Sequence, residues 1–161
     1  MTGVQTCALP IFDRVGDTFR WKSENVSTAE VETILSGYEG PSVVNVYGVS
    51  VPQTEGRAGM VALTYPGGVA FDPGGFFRFA STHLAHYAVP MFVRLTQVAD
   101  MTTTFKLRKV ESQREGYDPV ATEGDPLFVA DPEAGTYVPL TRQSLDRLQI
   151  LPFQGADAHA R

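Results

Sequence analysis

The sequence has a single cysteine, Cys7, among 161 residues, so no disulfide within the chain can stabilise its fold. No apolar run approaches the roughly 20 residues that a membrane-spanning helix needs. Basic residues are also few, because 13 lysines and arginines against 18 aspartates and glutamates give a formal charge of −5. These deficits argue against a disulfide-stapled domain, a transmembrane segment and a nucleic-acid binder, which is usually basic. They fit a cytoplasmic protein.

Motifs of a self-contained active site are also missing. The chain has no GxSxG, P-loop or GxGxxG pattern. His83 and His86 form an HxxH pair, but no third Cys, His or carboxylate stands at ligand spacing, so the sequence predicts no metal site. Only three residues are lysines, and two of them fall within KLRK at 106–109. This local cationic stretch suits phosphate or carboxylate oxygens, although composition alone favours a solvated helix face.

Periodicity and turn residues predict alternating helices and strands. Ser27 and Glu30 have the spacing of a capping box and predict the start of a helix. Lys22–Asn25 is polar and predicts a loop. Predicted strands cover 17–21, 42–51, 58–65 and 91–95, and predicted helices follow Ser27 and cover 76–87, 106–115 and 141–149. Residues 118–139 are rich in turn residues and contain only brief apolar pieces, at 127–129 and 137–138.

The first eleven residues, MTGVQTCALPI, contain no charge and therefore lack the basic start of a signal peptide. The string resembles a translated sequencing adapter. We therefore expect residues 1–12 to be a non-native or disordered leader, Cys7 to have no biological role, and the natural protein to continue upstream of Asp13. A disordered native N-terminus is the alternative.

Four stretches in the same order carry a resemblance to a known family: DRVGDTFRWKSENVSTAEVE (13–32), NVYGVSVPQTEGRAGMVAL (45–63), LAHYAVPMFVRL (84–95) and TTTFKLRKV (102–110). Together they resemble the C-terminal domain of the fatty acid transport protein and very-long-chain acyl-CoA synthetase family, within the adenylate-forming superfamily. DPLFVADPEAGTYVPL (125–140) resembles the extension of the transport-protein branch. The resemblance implies an α+β lid domain over 13–116, with a small central sheet, flanking helices and a β-hairpin at Asp17–Trp21, followed by an extension over 117–161.

The family relationship also implies an activity. Members convert a fatty acid, ATP and CoA to acyl-CoA, AMP and pyrophosphate through an acyl-adenylate. A large N-terminal domain binds ATP, Mg²⁺ and the fatty acid, and the small C-terminal domain is a swinging lid. We therefore expect this chain to need that N-terminal domain, in the same polypeptide, as its partner and to be inactive alone.

The same resemblance assigns roles to individual residues. Lys106 matches the lysine that catalyses adenylation, and Arg14 matches the arginine that contacts the ribose of AMP. Gly16 and Asp17 fall at the hinge between the two arrangements of the lid. The loop that would face the CoA channel consists of Trp21, Lys22, Ser23, Glu24 and Asn25.

Two positions depart from the family pattern. Ser23 stands where WKGEN normally has glycine, and Thr103 stands where TGTF has glycine. Both add a side chain near the expected CoA channel or lysine loop, so we expect reduced thioester formation or reduced mobility of the loop.

Two rival interpretations remain open. The chain could be a non-catalytic α+β binding module, or the lid of a ligase for another carboxylic acid. Acyl specificity, and any membrane association of the full-length protein, would depend on parts outside this chain.

Overall fold

The computed structural model describes residues 18–21, 24–54, 56–65, 70–96, 112–119, 122 and 125–153. The named elements, in chain order, are β1 (Thr18–Trp21), β2 (Glu24–Ser27), α1 (Thr28–Leu35), β3 (Val43–Ser50), β4 (Arg57–Thr64), α2 (Pro73–His83), β5 (Phe92–Thr96), β6 (Leu127–Asp131), β7 (Thr136–Pro139) and α3 (Arg142–Leu148). Residues 112–115, between β5 and β6, are also helical.

The main sheet has five strands in the order β3-β4-β5-β6-β7, and β1 and β2 form a separate antiparallel hairpin. Strands β4 and β5 are parallel, whereas the other neighbours are antiparallel. A parallel pair requires a crossover, which helix α2 provides. The expected α+β fold, a small central sheet flanked by helices, is therefore confirmed.

The two faces of the sheet are covered by different elements, because side chains alternate along each strand. One face, which we call the helix face, packs against α1, α2 and the residues before α2. There the ring of Phe71 lies 5.0 Å from that of Phe128, and Phe76 lies 5.7 Å from Tyr137. Val93 pairs with Phe128 and therefore lies on the helix face as well. Phe92 is its neighbour along β5, so it lies on the opposite face.

Two helix starts agree with the sequence. The Ser27 hydroxyl accepts a hydrogen bond from the amide of Glu30 at 3.3 Å. Thr141 and Ser144 form a reciprocal capping box at the start of α3. Each cap satisfies an amide that the first helical turn leaves without a partner.

The predicted polar loop at 22–25 is wrong for its last two residues. Glu24 and Asn25 belong to β2, where they pair with Trp21 and Arg20. Their side chains are exposed while their backbone completes the ladder, so polarity alone does not indicate a loop here. The predicted helix over 76–87 also ends earlier, because Leu84 has extended dihedral angles.

The hairpin packs directly on the helix face of the main sheet. Phe19 of β1 lies over Gly48 and Gly59, which pair with each other across β3 and β4. A Cβ atom at position 48 would lie 2.7 Å from the Cβ of Phe19. Glycine is therefore required at this close contact, and it fixes how the hairpin sits on the sheet.

We expect Gly48→Ala to lower the free energy of unfolding by about 1–3 kcal/mol, because the added methyl group overlaps Phe19 in a packed contact. Chemical denaturation would measure the change. Gly74→Ala is the control, since its added Cβ would meet its nearest neighbour at 3.6 Å. Equal effects of the two substitutions would contradict the close contact.

Helix α3 is tied to β6 by one ion pair. The buried carboxylate of Asp131 lies 2.7 Å from the Arg147 guanidinium. It also accepts a hydrogen bond from the Ala134 amide at 3.2 Å. The hydrogen bond from Arg147 outweighs the effect of burial and holds the pKa of Asp131 below its ordinary value, with help from the Ala134 amide.

The lowered pKa predicts a pH dependence of stability. Ionised Asp131 stabilises the folded chain above about pH 4, and this contribution is lost as the pH falls through the lower pKa of the folded state. We expect Asp131→Asn to lower the Tm at pH 7, with a difference from the unsubstituted chain that shrinks in acid. Thermal unfolding measured across pH would check this, and a difference that grew in acid would contradict it.

Candidate functional site

The hairpin presents the described part of the predicted CoA loop. Trp21 ends β1 and pairs with Glu24, so only residues 22 and 23 connect the two strands. Trp21 is buried, with 9% of its surface exposed, whereas Glu24 and Asn25 are exposed. The hairpin therefore anchors its loop through an aromatic side chain and carries polar side chains on its outer side.

Two open grooves have four lining residues in common: Trp21, Met91, Leu148 and Ile150. One has a volume of about 360 Å³ and is also lined by Phe77. The other, of about 530 Å³, extends toward the residues that follow β3. Both grooves are largely apolar and are lined by Trp21 of the hairpin. Leu148 and Ile150 also line both grooves, so the end of α3 and the residues after it lie near the hairpin.

His83 and His86, the histidines of the HxxH pair, do not form a joint site. His83 lines a small groove beside β2, and its ring stacks on Phe79 with the centroids 4.3 Å apart. His86 instead lines the groove beside Trp21. Among the described residues, no three His, Cys, Asp or Glu side chains are grouped to hold a metal ion.

A polar cluster interrupts the apolar sheet at β5. Arg94, whose side chain is only 13% exposed, lies 2.5 Å from the Glu115 carboxylate and donates through Nε to Asp125 at 2.8 Å. Burial disfavours its charge, but these two hydrogen bonds prevail and raise the pKa of Arg94 above its ordinary value. Arg94 thus connects β5, the helical residues 112–115 and the start of β6.

An aromatic contact lies next to this cluster. The ring of Tyr117 stacks on Phe92 with the centroids 4.1 Å apart and the planes 8° from parallel. The Tyr117 hydroxyl donates to the Leu151 carbonyl at 2.6 Å. Because Phe92 and Arg94 are two residues apart on one strand, both contacts form on the same face of the sheet. Residues 115–117 are therefore docked on β5 by an ion pair and a stacked ring.

The hairpin and these docked residues lie on opposite faces of one sheet. Phe19 contacts the sheet at Gly48 and Gly59, on the helix face. Met60, the neighbour of Gly59, pairs with Phe92 and belongs to the other face. The hairpin and residues 115–117 are thus attached to opposite sides of the same sheet.

The buried tyrosines of this region do not act as bases. Burial raises the pKa of Tyr47 to about 12, against a smaller opposing effect of Arg94, and it also raises the pKa of Tyr117 and Tyr137. Tyr137 donates to the Pro90 carbonyl at 2.6 Å. These phenols therefore remain protonated and stabilise the fold without supplying acid–base chemistry.

Most of the predicted site residues lie outside the described residues: Lys106, Arg14, Gly16, Asp17, Lys22 and Ser23. Trp21, Glu24 and Asn25 are described and lie together in the hairpin. Sequence reasoning missed Arg94, although an arginine within the apolar stretch MFVRL signals a buried charge that requires an acidic partner.

The chain is similar in sequence to curated proteins of lipid metabolism. It is 51% identical over 128 residues to long-chain fatty acid transport protein 1 of Mus musculus, a match that covers 80% of this chain and 20% of that protein. It is 48% identical over 128 residues to a medium/long-chain fatty acid–CoA ligase of Mycobacterium tuberculosis, covering 79% of this chain and 21% of the ligase. No protein-family model matches the chain.

Solved structures show the same fold. Coronafacic acid ligase from Pectobacterium brasiliense superposes with a TM-score of 0.57 at 15% identity, covering 71% of this chain and 21% of that chain. ATP-bound MatB from Rhodopseudomonas palustris superposes with a TM-score of 0.52 at 17% identity, covering 62% and 20%. At these identities the likeness concerns the fold alone.

These matches agree with the family resemblance in the sequence. The chain spans only about a fifth of the length of the curated relatives that it matches. In the part of the chain that the structure describes, no helix has the length and apolar character to cross a membrane. The chain belongs to the family of long-chain fatty acid transport proteins and fatty acid–CoA ligases.

Proposed function

We propose that this chain is the C-terminal lid of a long- or very-long-chain acyl-CoA synthetase. The complete enzyme would join a fatty acid to CoA through an acyl-adenylate, with release of AMP and pyrophosphate. The observation that carries the proposal is the similarity, near half identity over four fifths of the chain, to both a transport protein and a fatty acid–CoA ligase.

The placement of elements on the sheet supports a lid with two working faces. The hairpin packs on the helix face, and the residues that follow the Lys106 stretch dock on the opposite face. A rigid domain that rotates about a hinge can present one face during adenylation and the other during thioester formation. Gly16 and Asp17 would form that hinge, since glycine tolerates a large change of backbone angles.

Lys106 would act in the first half-reaction. Attack of a carboxylate oxygen on the α-phosphate of ATP gathers negative charge in the transition state. An ammonium group delivered into a closed cleft stabilises this charge far better than it could in water. The later attack of a thiolate on the acyl carbonyl does not need this cation, so the lid can withdraw it.

The hairpin loop would serve the second half-reaction. Trp21, Lys22, Ser23, Glu24 and Asn25 would face the pantetheine arm of CoA, and Arg14 would contact the ribose of AMP. The buried Trp21 supports this arrangement because it fixes the base of the loop. Ser23 and Thr103 would slow thioester formation or reduce the mobility of the loop, because each adds a side chain where the family pattern has glycine.

The described residues do not fit a magnesium site, because no three acidic or histidine side chains are grouped among them. The proposal therefore assigns Mg²⁺ to the N-terminal domain and derives no step of the lid from it. ATP and the fatty acid would bind in that domain as well.

In the full-length enzyme, we expect Lys106→Ala to lower the rate of acyl-adenylate formation by at least about 100-fold, because it removes the cation that faces the developing charge. Thioester formation from pre-made acyl-adenylate should be retained. Pyrophosphate exchange and single-turnover thioester assays would measure the two half-reactions.

Lys109→Ala is the matched control, because it removes the same charge three residues away. Its effect on adenylation should stay within about tenfold, as for a residue outside the catalytic contact. Equal loss of both half-reactions in Lys106→Ala would contradict the role assigned to Lys106.

The isolated chain should not exchange pyrophosphate into ATP in the presence of palmitate, because the proposed ATP and acyl pockets lie in the N-terminal domain. Purified residues 12–161 would be assayed beside a complete acyl-CoA synthetase as a positive control. Robust turnover by the isolated chain would contradict the proposed division of labour and favour a self-contained enzyme.

A further inference from the structure

The two outer strands of the main sheet, as far as the structure describes it, are β3 and β7. An outer strand carries a row of backbone N–H and C=O groups that can pair with a strand of another chain. Strand β7 has only four residues and ends at Pro139, and both features hinder such pairing. Strand β3 has eight residues, Val43–Ser50, with neither a proline nor a charged side chain among them. Its own sequence therefore offers neither protection.

The composition of β3, VVNVYGVS, favours pairing with a further strand. Four of its eight residues are valine and one is tyrosine, residue types that are enriched in strands. A short segment with high strand propensity, no charge, no proline and a single glycine has the features of segments that stack strand against strand. All eight residues of β3 are in register with β4, so the strand is regular along its whole length. A regular strand of this kind is a good template for another strand on its outer side.

A side chain of α1 occupies the outer side of β3 near its centre. The N–H of Val46 donates to Glu32 Oε2 at 2.8 Å and therefore points away from β4. A carbonyl oxygen of a neighbouring strand would accept the same bond at about 2.9 Å. The Glu32 carboxylate thus occupies the position that this carbonyl would take.

The packing of α1 holds Glu32 in this position. Val31 and Leu35, which lie four residues apart on one face of the helix, are 2% and 0% exposed and fix α1 against the core. Glu32 follows Val31 directly and reaches the strand from the side of this face. Its carboxylate is a charged acceptor, which makes a stronger hydrogen bond than a neutral oxygen. A second strand at this edge would also enclose that negative charge beside its own carbonyl groups, which is costly.

We propose that Glu32 keeps the outer edge of β3 from pairing with β3 of a second copy of this chain. A second copy is the fitting partner because it presents a strand of the same length and composition. Two such strands join antiparallel about a two-fold axis, so that each N–H of Val46 gains an acceptor from the other copy. The inference uses only α1 and β3 and does not depend on the proposed function.

The test uses the whole chain with Glu32→Ala, which removes the acceptor and keeps a residue with high helix propensity. Sedimentation analysis over a range of protein concentrations gives the mass in solution. We expect the unsubstituted chain to remain a monomer throughout. The average mass of Glu32→Ala should rise with concentration towards twice that of the monomer, because its β3 edge has a free donor.

Two further variants separate the contact from the charge. Glu30→Ala removes the same charge from an exposed position of α1, away from Val46, and should remain a monomer. Glu32→Gln keeps an oxygen that can accept from Val46 and should remain a monomer at concentrations at which Glu32→Ala associates. If Glu32→Ala does not fold, Glu32→Leu removes the acceptor but keeps the aliphatic bulk. It should associate more than Glu30→Leu, its control.

Hydrogen exchange of the Val46 amide locates the interface. In dilute Glu32→Ala this amide should exchange faster than in the unsubstituted chain, because its acceptor is gone. At high concentration it should become protected again, because a strand of the second copy accepts its hydrogen bond. A contact that only ties α1 to β3 would give faster exchange at every concentration.

Three results would overturn the proposal. Glu32→Ala could remain a monomer at every concentration, with a lower Tm alone, which would make Glu32 a tie between α1 and β3. Association of Glu30→Ala to the same extent would show a general effect of charge. Association of Glu32→Ala without renewed protection of the Val46 amide would place the interface elsewhere on the chain.

Discussion

The ion pairs of Arg94 are the constraint on which the arrangement of this domain depends. Most of the sheet around them is apolar, with Phe92, Val93 and Val129 fully buried. A guanidinium placed there must find carboxylates, because an unpaired buried charge is very costly. Glu115 and Asp125 meet this requirement from two distant segments, and the chain between β5 and β6 must therefore return to the sheet at one place.

The second constraint is steric and concerns the hairpin. Gly48 and Gly59 leave room for Phe19 at the sheet surface, so the hairpin lies close against β3 and β4. The two constraints act on opposite faces of one sheet. A domain built in this way can carry two different functional edges on a rigid scaffold, which is the physical requirement for a lid that serves two half-reactions in turn.

Local features of the fold were predictable from sequence, and non-local ones were not. Ser27 and Thr141 indicate helix starts because a cap involves residues only three apart. The strands around Val46 and Val61 are also predictable, because their apolar pattern lies within a few consecutive residues. The prediction of a loop at 22–25 is partly wrong, because Glu24 pairs through its backbone with Trp21 although its side chain is polar. The ion pairs of Arg94 span more than 20 residues, a distance at which no local pattern indicates a partner.

The candidate site shows the same division. The resemblance in sequence implies a role for Lys106, whereas the ion pairs of Arg94 with Glu115 and Asp125 are seen only in the folded chain. The proposed role as the lid of a larger adenylate-forming enzyme can be checked by long-read sequencing of the locus. We expect an open reading frame that continues upstream of Asp13, in frame, into an AMP-binding domain. A complete gene that starts near Met1, with no such domain before it, would rule out this role.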